Sequence, residues 1–347
     1  MNLARIDAIV ARHGLEPYRA KQLRQAFFRE HAPNFGAITT LAKAVREQLD
    51  AAEPVLTGTP ETLLAAADGQ AFKALLRFAD GGAVETVLMS PKPGLWSVCI
   101  STQTGCALGC RFCATGALGA GRNLTSEEIT DQVLFWLRHM AANHFEARLS
   151  NVVYMGMGEP FRNTENVFAS LTELTAPDAF GLGARHLSIS TAGLVDGIRA
   201  MAERFPQVNL AVSLHAANDE LRSRLMPVNR ANPLGELAVA LTDYLAATNR
   251  KVFIEYLLLG GVNDSPAHAA ELAKYLRTIT PSRLLHVNLI AYNAAAGDFR
   301  APSGQVVHNF LKSLTGHRVS ATIRKSLGQD IRAACGQLAG APGTKPR

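Results

Sequence analysis

Ser97-Val98-Cys99-Ile100-Ser101-Thr102-Gln103-Thr104-Gly105-Cys106-Ala107-Leu108-Gly109-Cys110-Arg111-Phe112-Cys113 is the stretch that decides the fold. It opens with a short near-alternating run, Ser97–Ser101, which has the pattern of a strand. It then breaks into a glycine-bearing loop with cysteines at x3 and x2 spacing. Beyond the loop, Thr125-Ser126-Glu127-Glu128 forms a capping box, and Ile129, Val133, Trp136, Leu137 and Met140 follow on one helical face. Strand, cysteine loop and capped helix make one unit.

The same rhythm continues downstream. Candidate strands are Asn151–Met155, His186–Ser190, Asn209–Leu214, Val252–Leu259 and His286–Ile290, with helical patterns between them. Such alternation predicts a parallel sheet covered by helices, open or closed into a barrel. A further strand, Arg318–Ile323, leads into the C-terminal tail. Upstream, roughly 54–98 is strand-rich. Ala71–Phe78 and Ala83–Met89 flank Asp80-Gly81-Gly82, a hairpin signal. The first fifty residues read as short helices, one over Arg19–Phe28 and another around Leu41–Leu49.

Composition narrows the class. The chain has 347 residues, 48% apolar and 18% charged, enough to bury a sizeable core. No apolar run approaches the ~18 residues a membrane span needs, and the first residues lack a secretory signal, so a cytoplasmic protein with no membrane partner is the expectation. Net charge is +6, unevenly spread: residues 1–52 hold eight Lys/Arg against five Asp/Glu, and residues 318–347 hold six against one. Basic flanks around a near-neutral centre fit a polyanion partner held at the edges of a site, or simply solubility. Arg19, Lys21, Arg24 and the Arg324-Lys325 pair are candidate phosphate contacts.

Five cysteines are present, four of them within fifteen residues. In a chain of this size that clustering points to metal or redox chemistry rather than a disulfide scaffold. Three thiolates on a four-iron cluster leave one iron open to a small molecule. Zinc with His139 or His144 as fourth ligand, or unrelated buried thiols, are the competing readings. Cys99, in the first strand, also reads as a small core residue. Cys335, in a Gly- and Ala-rich tail suited to motion, also reads as a stray thiol. Gly158 and Glu159 follow the second strand, where glycine allows close backbone approach. Ser190, Ser213, Leu214, His215 and Asn293 fall at or just beyond strand ends, where barrel ligands gather.

The Cys106-x-x-x-Cys110-x-x-Cys113 loop after the first strand, with Phe112 before the last cysteine, resembles the radical S-adenosylmethionine (SAM) superfamily. Val98–Cys110, Met155-Gly156-Met157-Gly158-Glu159-Pro160, Ser213-Leu214-His215, Ala333–Leu338 and Tyr18–Gln22 together resemble the RlmN/Cfr family of RNA adenosine methyltransferases, over residues 14 to 340. The resemblance implies an α/β fold: a partial (β/α)6 radical-SAM barrel over 97–325, a helical RNA-binding domain over 1–52, a β-rich extension over 53–96, and a tail over 326–347 carrying a methyl-accepting cysteine.

It also implies a [4Fe-4S] cluster on Cys106, Cys110 and Cys113, and two SAM molecules per turnover. SAM contacts are implied for Gly158, Glu159, Ser190, Ser213, Leu214, His215 and Asn293. Cys335 would carry the methyl group as S-methylcysteine. Cys99 would resolve the covalent adduct through a transient disulfide with Cys335. Glu85 would be the proton acceptor, a role for which Cys99 competes. The implied substrate is an adenosine of 23S rRNA methylated at C2 or C8, with tRNA as a further candidate; Cys113-Ala114-Thr115-Gly116 and Asn123-Leu124-Thr125 lean to the C8 branch, Glu159-Pro160 and Ser213-Leu214-His215-Ala216 to the C2 branch. An electron donor, a thiol reductant and a monomeric state complete the expectation. The alternatives are a radical SAM enzyme with another substrate, or a non-catalytic iron–sulfur RNA-binding protein.

Overall fold

The computed structural model describes residues 1–145, 148–295 and 298–339. Its organising element is a ten-stranded sheet in sequential order. Strands β1 (Gly58–Ala65), β2 (Ala71–Phe78), β3 (Ala83–Lys92) and β4 (Leu95–Cys99) form an antiparallel meander. The expected hairpin forms between β2 and β3, where Gly81 takes a φ of +84° and Asp80 Oδ1 accepts from the Gly82 N–H. β4 then pairs parallel to β5 (Arg148–Tyr154), and every later pairing is parallel. β4 is therefore the seam: one edge belongs to the meander, the other to the barrel-type sheet.

The parallel part continues through β6 (Leu187–Thr191), β7 (Asn209–Ser213), β8 (Val252–Leu258), β9 (Leu285–Ala291) and β10 (Ala321–Ile323). β4 to β9 lie where the alternating sequence pattern put six strands, with ends displaced by a few residues. β10 is shorter than the Arg318–Ile323 expectation, because Arg318 takes a φ of +62° and turns the chain before the strand begins. Buried Val152, Ile189, Leu210, Val212, Ile254 and Val287 form the face of this sheet that the helices cover.

Helices follow each of the strands β4 to β9. α4 (Ala114–Ala117) is a single turn after the cysteine loop, and α5 (Ser126–Ala142) carries the expected capping box between Thr125 and Glu128. Ile129, Val133, Trp136 and Met140 bury one face of α5, with Leu137 half-covered. α6 (Thr164–Thr175), α7 (Val195–Arg204), α8 (Asp219–Leu225), α9 (Leu234–Thr248), α10 (Pro266–Leu276) and α11 (Gly304–Gly316) complete the outer layer. The N-terminal helices lie at Leu3–Arg12, Arg19–Phe28 and Lys43–Ala52. They dock on the outside of this layer: Leu3 N–H donates to Glu173 at 2.8 Å, Arg29 to Phe180 O at 2.9 Å, and Phe28 packs on Phe180. No helix among the described residues is long and apolar enough to cross a membrane.

The tail departs from expectation. Its Gly- and Ala-rich composition suggests motion, yet residues 332–339 are tied down from several sides. Ala114 N–H donates to Gly336 O at 2.8 Å and Thr115 Oγ1 to Leu338 O at 2.7 Å, joining the tail to the cysteine loop. Lys73 Nζ donates to Arg332 O at 3.2 Å, and Ala339 N–H to Glu85 Oε2 at 2.7 Å, joining it to the meander. Small residues allow this close seating: Ala333 and Ala334 are buried.

Candidate active site

β4 delivers the chain into the cysteine loop at the C-terminal mouth of the parallel strands. Ser101 Oγ donates to Glu85 O at 2.6 Å, and Gln132 of α5 clasps the Ser101 backbone from both sides. Thr102 and Gln103 N–H groups donate to Met157 O. These bonds fix the loop that follows. Cys106, Cys110 and Cys113 then line one cavity of about 170 Å³, together with Gly158, Glu159, Ser190, Ser213, His215 and, across from them, Cys335.

Gly158 shows why the sequence needs glycine here. Its φ is +95°, and a Cβ would lie 2.6 Å from Gln103 Cβ. Glu159, wholly buried, accepts from Ala192 N–H at 2.7 Å and Phe161 N–H at 3.1 Å. Burial raises its pKa, and the two N–H groups partly oppose that rise. His215 is buried at a φ of +60°, and its Nδ1 accepts from Leu257 N–H at 3.0 Å. Burial and the nearby Arg222 lower its pKa to about 3, so the ring is neutral. Phe112 packs edge-on against it at 4.9 Å.

Not every expected residue faces this cavity. The Leu214 side chain is fully buried, and its carbonyl accepts from Arg222. Asn293 lies beyond β9 and donates to Cys335 O at 3.3 Å, while its Oδ1 accepts from Gln329 at 2.5 Å. Glu85 is 3% exposed and pairs with Lys73 at 2.8 Å. Cys99 lines a second cavity, of about 290 Å³, with Ser97, Val153, Lys325 and the tail. Cys335, Met155, Ile290, Arg324 and Leu338 are common to both cavities. Cys335 therefore stands in the partition, with the cysteine loop on one side and Cys99 on the other. Burial and the proximity of Cys335 push the Cys99 thiol up to about 12.

The cysteine loop suits a cluster better than a single ion. Among the described residues, no three His, Cys, Asp or Glu side chains converge as ligands of one metal ion. His139 sits instead in an aromatic group with Phe72, Phe135 and Phe145, and His144 lines a different surface pocket. In a four-iron cluster each thiolate binds its own iron, so the ligands ring a cavity instead of meeting at a point. The donor set agrees. Burial raises the Cys110 thiol and brings Cys106 to about 11, and the neighbouring cysteines add to both shifts. Thiols so placed ionise readily only against a bound cation.

Two residues at this site were misjudged or missed. Arg324 is not a free surface cation: it lies 3.5 Å from Glu255 Oε2 and lines both cavities. Glu255, 4% exposed in β8, accepts from Asn288 at 2.8 Å and lines the first cavity. Its sequence signal was a lone carboxylate inside Val252-Phe253-Ile254-Glu255-Tyr256-Leu257. Of the N-terminal candidates, Arg24 is paired with Asp7 and Asp178, Arg19 donates to Gln22 and Thr40 O, and Lys21 is exposed.

Comparison with known proteins agrees with this geometry. Residues 100–273 match the radical SAM superfamily. A probable dual-specificity RNA methyltransferase RlmN of Chloroflexus aurantiacus is 44% identical, over 98% of this chain and 91% of its own. The ribosomal RNA large subunit methyltransferase Cfr of Bacillus velezensis is 40% identical, over 97% of this chain and 95% of its own. The crystal structure of a radical SAM methyltransferase from Sphaerobacter thermophilus superposes with a TM-score of 0.91 at 43% identity, covering 98% of both chains.

Proposed function

Because the chain belongs to the RlmN/Cfr family of radical SAM RNA methyltransferases, we propose that it methylates C2 of an adenosine in 23S rRNA, and in tRNA, through a methyl group carried on Cys335. The observation that carries this reading is the partition: one thiol, Cys335, reaches the cysteine-loop cavity and the Cys99 cavity alike.

Cys106, Cys110 and Cys113 hold the cluster. Gly158, Glu159, Ser190, Ser213 and His215, around the same cavity, hold SAM, with Leu214 between two of them in the chain and Asn293 held against the Cys335 carbonyl. Bound together, cluster and SAM supply a methyl group for Cys335 and, from a second SAM, an adenosyl radical, so two cofactors are used per methylation. Glu159, its two oxygens already oriented by backbone N–H groups, is available to the methionyl ammonium. Neutral His215 adds no positive charge beside the sulfonium.

Cys335 takes the methyl group on sulfur, losing its proton. After hydrogen abstraction from that methyl, the carbon joins the adenine, linking protein to RNA through the Cys335 sulfur, and the adduct's unpaired electron would return to the oxidised cluster. Cys99, ionised, attacks that sulfur, the S–C bond breaks with its electron pair on the methylene carbon, that carbon takes a proton to become the methyl group, and a Cys99–Cys335 disulfide forms as the methylated base leaves. An external dithiol returns both cysteines to thiols. A base must also remove the proton from the adenine carbon. Glu85, held by Lys73 and Ala339, and Cys99, whose buried thiol would first have to ionise, are the two candidates for this proton.

The test is nucleoside mass spectrometry of unmodified 23S rRNA and tRNA treated with anaerobically reconstituted enzyme, SAM and reductant. The expected product is 2-methyladenosine, absent with Cys335→Ala. An 8-methyladenosine product refutes the assigned position, and methylation by Cys335→Ala refutes the route.

A further inference from the structure

Arg222, on α8, takes no part in the scheme above, yet it is one of the largest fully buried side chains in the molecule. Its Nε donates to Leu214 O at 3.1 Å and its Nη1 to Asn229 Oδ1 at 2.6 Å. Its Nη2 donates to Ala192 O at 2.7 Å and Ser213 O at 3.3 Å. All four acceptors are neutral. The carboxylate wired to it is one residue removed: Asn229 Nδ2 donates to Asp219 Oδ1 at 2.8 Å. A guanidinium taken out of water without a contacting anion is costly, so an opposite charge is expected close by.

The geometry says where that charge belongs. The Arg111 N–H, from inside the cysteine loop, donates to Leu225 O at 3.0 Å. Leu225 lies three residues beyond Arg222, on the same face of α8. Ala192 and Ser213, whose carbonyls Arg222 holds, line the first cavity beside Cys110. α8 thus presses its buried cation toward the back of the cysteine loop.

We propose that Arg222 is the fixed countercharge of the iron–sulfur cluster, a positioning residue whose buried cation stabilises the reduced cluster and raises its reduction potential. This rests on the cluster reading of Cys106, Cys110 and Cys113. A cluster on three thiolates is anionic, and the electron it accepts from a low-potential one-electron donor adds a further negative charge. A nearby fixed cation therefore favours the reduced form more than the oxidised one. Arg222 also pins the loops after β6 and β7, so loss of activity alone does not separate charge from scaffolding; a potential does.

The experiment is a redox titration by electron paramagnetic resonance on full-length, anaerobically reconstituted protein, with iron and sulfide counted in each sample. Arg222→Gln is expected to weaken cluster reduction tenfold, a fall of about 59 mV for one electron. Arg222→Lys, which keeps the charge, restores most of the wild-type potential. Asp219→Asn, which removes the relayed carboxylate and keeps the acceptor, raises it. Full iron with unchanged potentials in Arg222→Gln and Asp219→Asn overturns the proposal. Should Arg222→Gln fail to fold, an unchanged potential in Asp219→Asn, or an Arg222→Lys potential well below wild type, overturns it instead. Wild-type protein that binds no iron overturns the cluster reading itself, and is told apart by the metal count.

Discussion

Replacing Glu85 with alanine tests what holds Cys335 at the partition. Glu85 Oε1 lies 2.8 Å from Lys73 Nζ, with the two side chains 4% and 8% exposed. At that distance and an effective dielectric of about 20, the attraction is about 6 kcal/mol, most of it offset by taking both charges from water. Removing one partner is different, because the buried ammonium is left behind at about 3–5 kcal/mol. The Ala339 N–H loses its 2.7 Å acceptor as well, and Lys73, which also holds Arg332 O, is drawn toward solvent. Taking about 3 kcal/mol against the docked tail, and one decade per ~1.4 kcal/mol, the undocked population rises roughly 150-fold.

Hydrogen exchange followed by mass spectrometry reads this directly. Peptides covering 328–339 should exchange about two orders of magnitude faster in Glu85→Ala, while those from β6 to β8 keep wild-type protection. Lys73→Met with Glu85→Leu should regain much of the loss, since replacing both members of a buried pair by apolar groups is nearly neutral. Unchanged tail exchange in Glu85→Ala, or a double variant as labile as the two single effects added, would refute the clamp.

Two further outcomes are expected. Gly158→Ala should weaken SAM binding at least tenfold in equilibrium dialysis with iron content retained, because a Cβ 2.6 Å from Gln103 at a φ of +95° forces the strand-end loop to move; wild-type affinity would sink this account. His139 has its pKa lowered by burial, and its Nε2 has no partner among the described residues. The unfolded chain therefore binds the extra proton below the ordinary histidine pKa of about 6.5, and stability falls as pH drops through that value. His139→Phe should flatten this loss between pH 7 and 5 in urea unfolding, and an identical slope would count against it.

Local pattern made much of the molecule legible. The alternation of strands and helices, the capping box at Thr125 and the Asp80-Gly81-Gly82 turn depend on neighbours a few residues apart, and all three appear in the structure. The cysteine spacing was equally local, and so was the list of strand-end residues. The failures have one cause. Arg324 and Lys325 adjoin in sequence, which says nothing about which of them pairs with Glu255. Nothing local marks Glu85 as buried, because its partners are Lys73 on the neighbouring strand and Ala339, 254 residues away. The tail reads as mobile, because its hydrogen bonds come from three other segments.

The sequence by itself determined the elements of this protein and the chemistry it carries: six parallel strands, a three-cysteine loop, and two further thiols far apart in the chain. Only the tertiary structure decided how those thiols meet. Setting the parallel strands beside β4 and docking the tail against them put Cys335 between two cavities, with Arg324 shared and Arg222 buried behind the loop. The physical reason is that periodicity fixes which way a side chain points from its own strand or helix. The partner it meets is fixed by the packing of segments that no local pattern relates.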